Sequence, residues 1–434
     1  NNKKYDVLLI QESAQGVTNI LTLSEFKIDD YYCPSDSYSS ISDFFYSVDM
    51  DSPTTSRTVK LTYNGDGVEW ITIGDNPTKI KSGDMVTFQN FTANTTIDIH
   101  SHNSVTDKTG LNQLIISGLP LVELFTSSTI VDEPKVDCTF RLFDPKARTD
   151  AEEKNLTFFE SLGGIEYRGA GAQRYVKKPY NFKLRDSAGE KREAELLNIR
   201  NDNSWILDAM FLDIAHMRTR VCFDIWNEFN KPYYVNEKPK AMSGTRGHHV
   251  EAFINGEYFG LYLMVEPVDK AFLKKRLPAG DTDGDLYKCG YVYEPANFTK
   301  ISSIGIENED KAQFYTYDLK TNKKTSTHAA LNNLIKKLNS PALTKAGLAE
   351  LVDMDNFLKF AAVSYFLGNP DDLRNNYNNF YVYFVPSTGK ALFIPYDYDR
   401  CLGLTFEWNP SGNGMTKDDP FGDRTSSNDQ QRNP

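Results

Sequence analysis

Between Asn369 and Gly403 the chain reads NPDDLRNNYNNFYVYFVPSTGKALFIPYDYDRCLG, and this stretch constrains the fold more than any other. A polar turn bearing Asp371 and Asp372 follows an apolar run, FAAVSYFLG, and Asn375 and Asn376 come directly after it. An apolar strand (NFYVYFV), a turn (PSTGK) and a second strand (ALFIPY) then lead to Asp397 and Asp399. In an antiparallel hairpin the end of the second strand returns beside the start of the first. The turn acids, the asparagines and the strand-end acids are therefore expected in one place. Carboxylates and an amide oxygen converging at a strand end are the ligands that a hard cation such as Mg²⁺ prefers. Asp and Asn are also ordinary turn residues, so each taken alone says little.

A chain of 434 residues exceeds one typical core, and two domains are expected. Hydrophobic residues at 40% and aromatics at 13% supply ample core material, which excludes a disordered chain. A formal net charge of −11 argues against a general nucleic-acid binder, which needs a basic surface to neutralise phosphates. It leaves room for a local basic pocket. No apolar run of about 18 residues occurs, so no membrane span is expected. The start at Asn1, polar and without Met, reads as a removed leader or a cut boundary. Five scattered cysteines (Cys33, Cys138, Cys222, Cys289, Cys401) show no CxxC and no zinc spacing. The odd count leaves at least one unpaired in a monomer, and the sequence assigns no pairing.

Residues 1–135 read as short strands with turn punctuation, a β-sandwich-like accessory domain. RTVKLTYNGDGVEWITIG alternates around Asn64-Gly65-Asp66-Gly67, a hairpin signal. His100 and His102 share a strand face without a third ligand and read as surface residues. A second domain is expected over 150–434. Its strand GGIEYR, ending at Arg168, enters a small-residue loop, Gly169 to Gln173. A basic segment with Arg174, Lys177 and Lys178 follows, then the strand PYNFKLRD. Glycines between strands let backbone approach a ligand, and basic side chains beside them suit phosphate oxygens. The P-loop pattern is absent. SWILDAMFLDIAHMRTRVCFDIWNEFN has apolar residues at helical spacing and reads as a helix pair, with Arg218 and Arg220 capping a helix or reaching a phosphate. Asn255-Gly256 predicts a type I′ hairpin. DTDGD, from Asp281, looks calcium-like but lacks EF-hand spacing. HAALNNLIKKLN and TKAGLAELVDMDNFLKFAAVSYFLG read as amphipathic helices.

An Asp, an Asn five residues later and a further Asp beyond a hairpin is also the order of polar groups in protein kinases. Four blocks carry a closer resemblance: YRGAGAQRYVKKPYNFKL, SWILDAMFLDIAHMRTRV, VEAFINGEYFGLYLMVEPVD, and the stretch from Phe366 to Gly403. In this order they resemble the CotH family, the spore-coat-protein-H-type atypical protein kinases, over roughly residues 155 to 405. The resemblance implies an α+β, minimal kinase-like fold, secreted or on a cell or spore surface. It implies ATP with Mg²⁺ (or Mn²⁺) as cofactors and phosphate transfer to Ser or Thr of a protein substrate. Carried over by residue, Lys183 would meet the nucleotide phosphates, with Lys178 in reserve and Arg168 beside them. Glu266 falls where adenine would be contacted. Asp371 or Asp372 would be the catalytic aspartate, and Asn376, Asp397 and Asp399 the metal ligands. The small-residue loop departs from the family's Arg-Gly-Asn-Ser-Ser. Past Asp399 the chain turns polar, where the family continues with helices.

Two other readings stand beside the kinase. One is a non-catalytic surface or adhesion protein of the same fold, binding a partner or glycan through its β-rich domain. The other is a glycosidase, whose hallmark is paired carboxylates. The lysine block counts against the glycosidase.

Overall fold

The structure, a computed structural model, describes residues 21–29, 31–36, 43–51, 56–146, 158–169, 171–232, 236, 242–278, 280–290, 296–299, 316–369, 372–373 and 377–402. It divides into two compact units that are discontinuous in sequence. The first holds residues 1–125, 141–159 and 251–259, and the second holds 126–140, 160–250 and 260–434. The sequence suggests a single cut between residues 135 and 150.

In chain order the first unit contains β1 (Glu25–Ile28), β2 (Tyr31–Tyr32), β3 (Ser35–Asp36), β4 (Asp43–Ser47), β5 (Ser56–Asn64), β6 (Trp70–Ile73), β7 (Asn76–Ile80), β8 (Met85–Gln89), β9 (Thr95–Asn103), β10 (Lys108–Ser117) and β11 (Leu121–Phe125). They build a sheet ordered β2-β1-β5-β8 and another ordered β3-β4-β10-β9-β6-β7. Alternation decides which face is buried. Val59, Leu61 and Tyr63 point inward from β5, and Leu114 and Ile116 from β10, into one core with Phe26, Phe44 and Ile99. Each fully buried large apolar side chain contributes about 1.5–3 kcal/mol.

The hairpin expected at Asn64–Gly67 does not form. β5 pairs with β1 and β8, whereas β6 pairs with β9 and β7, so the turn carries the chain from one sheet to the other. Gly65 serves close packing instead, since a Cβ there would lie 2.6 Å from the Thr22 carbonyl oxygen, and Gly67 supplies a left-handed turn at φ 72°. His102 stacks on Trp70 at 3.9 Å and meets the Thr72 hydroxyl at 3.4 Å, a packed surface residue.

The chain continues through β12 (Val136–Phe143), β13 (Phe158–Tyr167), β14 (Tyr180–Arg185), β15 (Ala194–Leu196), β16 (Arg200–Asp202), β17 (Ser204–Asp208), α1 (Arg218–Phe229), β18 (Gly247–Ile254), β19 (Glu257–Val265), α2 (Lys270–Arg276), β20 (Leu286–Cys289), β21 (Tyr317–Leu319), α3 (Ala329–Leu338), α4 (Lys345–Leu351), α5 (Met354–Leu367), β22 (Phe380–Phe384) and β23 (Ala391–Pro395). Within the second unit β14 pairs antiparallel with both β13 and β17, and β17 pairs with β19. The segment SWILD is thus a strand, and one helix, α1, follows it where the spacing suggested two. Trp205, Ile206 and Leu207 are all buried, a run that suits a strand flanked on both sides as well as a helix. Asn255 (φ 52°) and Gly256 (φ 79°) both turn left-handed, as a type I′ hairpin requires.

A further sheet runs β21-β20-β22-β23. Phe380, Val382 and Phe384 of β22 enter one core with Trp226 of α1 and Phe360 of α5. Tyr381 and Tyr383 enter another core with Phe272 and Leu273 of α2. Burial on both faces explains why β22 is apolar at every position. The chain as described is β-rich with few helices. Among the described residues no helix is long and apolar enough to cross a membrane.

Candidate functional site

The β22–β23 hairpin pairs Phe380 with Pro395, which brings the residues before β22 level with those after β23. The Tyr396 amide donates to the Asn379 carbonyl at 3.1 Å and locks the two ends together. Asn379 (φ 52°) and Asp397 (φ 58°) are left-handed at this junction. Such backbone is uncommon for residues with a side chain, and it concentrates at sites where orientation matters.

These ends open on a cavity of about 600 Å³ within the second unit. Acidic groups line it: Asp397 and Asp399 from the loop after β23, Asp208 from the end of β17, and Asp318 from β21. So do cations: Arg168 after β13, Lys177 before β14 and Lys288 on β20. Asn378 and Asn379 contribute amides.

The cations are held in place by aromatic rings. Arg168 lies 5.5 Å from the Tyr396 ring centroid and donates to the Tyr396 hydroxyl. Lys288 reaches the same ring at 5.4 Å. Lys177 sits 4.4 Å over Tyr262 and donates to the Leu261 carbonyl. Burial, with Arg168 and Lys320 nearby, pushes the Lys288 ammonium down to about 8. Burial, with the Asp397 charge next, pushes the Asp208 carboxyl up to about 6, although the Met210 amide donates to it at 3.0 Å. Burial in the cavity wall therefore disfavours the charged form of both Lys288 and Asp208.

Of the site residues expected from sequence, Arg168, Asp397 and Asp399 line this cavity. Asp371, Asn375 and Asn376 lie outside the described residues. Asp372 is buried, 1% exposed, and its carboxylate accepts from the Ser364 hydroxyl. Lys183 is not among the lining residues; it stands exposed on β14, between Gly164 and Ser204. Strand alternation turns it away, because Phe182 and Leu184 take the buried side. Lys178 points under the small-residue loop, donating to the carbonyls of Gln173 at 2.7 Å and Tyr175 at 3.0 Å. It fixes that loop, and its neighbour Lys177 faces the cavity. Glu266, 0% exposed, accepts from the Arg246 amide at 2.9 Å and pairs with buried Arg200 at 3.6 Å. Val265, one residue before it, is the one that lines the cavity.

The other motifs resolve into packing. Arg218 binds Asp213 and donates to the Cys401 carbonyl at 3.0 Å, and Arg220 binds Asp224 at 2.8 Å. Asp281 of the calcium-like segment accepts from the Ser387 amide at 2.9 Å. Lys288 and Asp208 were not legible as site residues, since each ends or interrupts an apolar strand with no motif around it.

The donor set fits a nucleotide carrying a divalent ion. Mg²⁺ takes one or two carboxylates together with substrate phosphates rather than an all-protein cage. Among the described residues no group of three or more His, Cys, Asp or Glu side chains stands together for a metal. A bound cation would relieve the like charges of Asp208 and Asp397, and Arg168, Lys177 and Lys288 suit phosphate oxygens.

Residues 165–433 match the family described as "CotH kinase protein". Inner spore coat protein H of Bacillus subtilis (strain 168) is 29% identical over 295 residues, a match covering 66% of this chain and 70% of that protein. The family match spans all the cavity-lining residues, from Arg168 to Arg400. The chain belongs to the CotH family.

Proposed function

We propose that this protein is an atypical kinase that binds ATP in the cavity of its second unit and transfers the γ-phosphate to Ser or Thr hydroxyls of protein substrates. One observation carries the reading: phosphate-type cations and divalent-ion ligands line a single cavity. Phosphoryl transfer is mostly positioning and charge neutralisation, so such a set suffices without a nucleophilic side chain. When bound, Mg²⁺ (or Mn²⁺) supplies neutralisation of the phosphate charge. Asp397 and Asp399, with Asn376 as in the family, would hold the ion. Lys288 would bind the phosphates in the role that the resemblance implied for Lys183, with Arg168 beside it as expected. Tyr175 and Phe211, stacked at 4.9 Å in the cavity wall, offer a flat apolar surface for a base. Asp371 is preferred over Asp372 for orienting the acceptor hydroxyl, because the Asp372 carboxyl is occupied by Ser364.

A kinase-like fold belongs to the same reading. The relative's name as an inner spore coat protein supports a place at a spore or cell surface, with the acceptor a protein there. The net charge of −11 makes nucleic acid a poor partner. A second reading, a non-catalytic surface protein that binds a partner or glycan through its two-sheet unit, is favoured by that same coat-protein name.

The test is incorporation of labelled γ-phosphate from ATP with Mg²⁺ or Mn²⁺ into the protein itself and into generic protein substrates. Asp397→Ala is expected to lower transfer about 100-fold or more, and Lys288→Met about 10-fold or more. No incorporation by the parent, together with no nucleotide-dependent thermal shift, would overturn the kinase reading and favour the second.

A further inference from the structure

All five cysteines are buried thiols, and two of them face each other. Cys222, in the second turn of α1, and Cys401, just past Asp397 and Asp399, are both 0% exposed, with sulfurs 3.0 Å apart. Among the described residues the other thiols make no such contact. Cys33 lies in the core of the first unit, while Cys138 sits on β12 and Cys289 on β20.

Several bonds hold the two sulfurs in register. The Cys401 carbonyl accepts from Arg218 Nε at 3.0 Å, at the start of the same helix that carries Cys222. The Cys401 thiol donates to the Tyr398 carbonyl at 2.9 Å, and the Leu402 amide donates to the Leu367 carbonyl at 2.7 Å. Tyr398 packs edge-on against Phe223, the residue after Cys222, at 6.2 Å. From 3.0 Å, an approach of about 1 Å completes a sulfur–sulfur bond, less than the play of two side chains.

We infer that Cys222 and Cys401 form a disulfide under oxidising conditions, fastening α1 to the loop that carries Asp397 and Asp399. The oxidant is a small-molecule disulfide such as oxidised glutathione. One cysteine sulfur attacks it and releases one thiol, and the other then attacks the mixed disulfide and releases the second. Two cysteine thiols and one external disulfide become one internal disulfide and two external thiols, so electrons and protons balance. Because both sulfurs are shielded from solvent, the exchange takes place during folding or a local opening of the loop. The closed bond is then protected from reductant. This inference stands on the second unit's packing alone and does not rest on kinase activity.

The test uses the full chain, reduced and unfolded in guanidinium, then refolded in a mixture of oxidised and reduced glutathione. Free thiols are alkylated in denaturant, and the protein is digested without reductant for mass spectrometry. The expected product is a peptide pair joined through Cys222 and Cys401, two hydrogens lighter than its parts, with the other cysteines alkylated. Alkylation at all the cysteines, or linkage of Cys222 or Cys401 to another cysteine, would overturn the inference. The oxidised form is expected to melt about 5 °C above the reduced form. Cys222→Ser, and Cys222→Ala should the serine fold poorly, is expected to abolish that difference. A variant that keeps the oxidant-dependent rise would overturn it equally.

Discussion

At Asp208 a carboxylate ends a strand inside a cavity, beneath the charge of Asp397. Burial first, and that like charge second, raise its folded value from 3.8 to about 6. For an acid so raised, the folded state binds more protons than the unfolded chain between the two values. Its contribution to stability is therefore full below the unfolded value and is lost as pH rises through about 6. Asp208→Asn removes the cost of the ionised form. The variant is expected to be more stable than the parent by about 2 kcal/mol at pH 7.5, with the gap closing by about pH 4. Urea denaturation of both proteins across that range checks it, and a gap that does not change with pH would show the burial to be weaker than the geometry implies. Sequence reading missed this residue for a physical reason. Asp208 follows Trp205, Ile206 and Leu207, and nothing local distinguishes an acid that ends a buried strand in a cavity from one that ends it in solvent. The lysines tell the same story: Lys177 and Lys178 are adjacent, and the side chain facing the cavity is set by Tyr262 and by the loop carbonyls, which lie elsewhere in the sequence.

Elements deliver these side chains, and α5 with β23 is the pair on which the acidic loop depends. Asp353 caps α5, accepting from the Asn356 amide at 3.1 Å. The Asn356 side chain, 7% exposed, then behaves as a substitute strand. It donates to the Phe393 carbonyl at 3.1 Å and accepts from the Phe393 amide at 2.7 Å, so the outer edge of β23 is satisfied by a helix. Asn356→Ala leaves both backbone groups buried without partners and is expected to cost about 2–4 kcal/mol, read as a lower midpoint in urea at unchanged slope. Asn356→Asp keeps one bond but sets a carboxylate against the Phe393 carbonyl, so it should not rescue; recovery by Asp would mean that packing volume alone matters there. The hairpin β22–β23 was legible because its turn and both strands are contiguous. The partners of β5 and β6 were not, since each strand pairs with residues far away in the chain, and a sharp turn looks the same whether it reverses a strand or changes sheets. SWILD was ambiguous for a related reason: a strand buried on both faces loses the alternation that identifies it.

For the molecule as a whole, the candidate chemistry belongs to one of two units. The family match begins at residue 165, inside β13, and leaves β1 to β12 outside it. Each unit has its own apolar core, so a ligand bound in one is expected to stabilise the segments around its own cavity first. The net charge of −11 adds a second constraint, because an anionic nucleotide approaches an acidic molecule only where a local field draws it in. Arg168 and Lys177, which flank one loop, and Lys288, more than a hundred residues later, are cations of the cavity wall that would draw such an anion in. Amide hydrogen exchange tests both points together. Adding ATP with Mg²⁺ is expected to slow exchange in peptides spanning residues 168–177, 204–212, 286–290 and 377–400. Peptides from β4, β9 and β10 should be unchanged. Raising salt should weaken the protection, since the attraction is partly screened. Protection confined to the two-sheet unit would put the nucleotide somewhere other than the cavity. The charged groups around Asp397 would then be a structural network, and the search for an activity would move to the sheets that the family match does not cover.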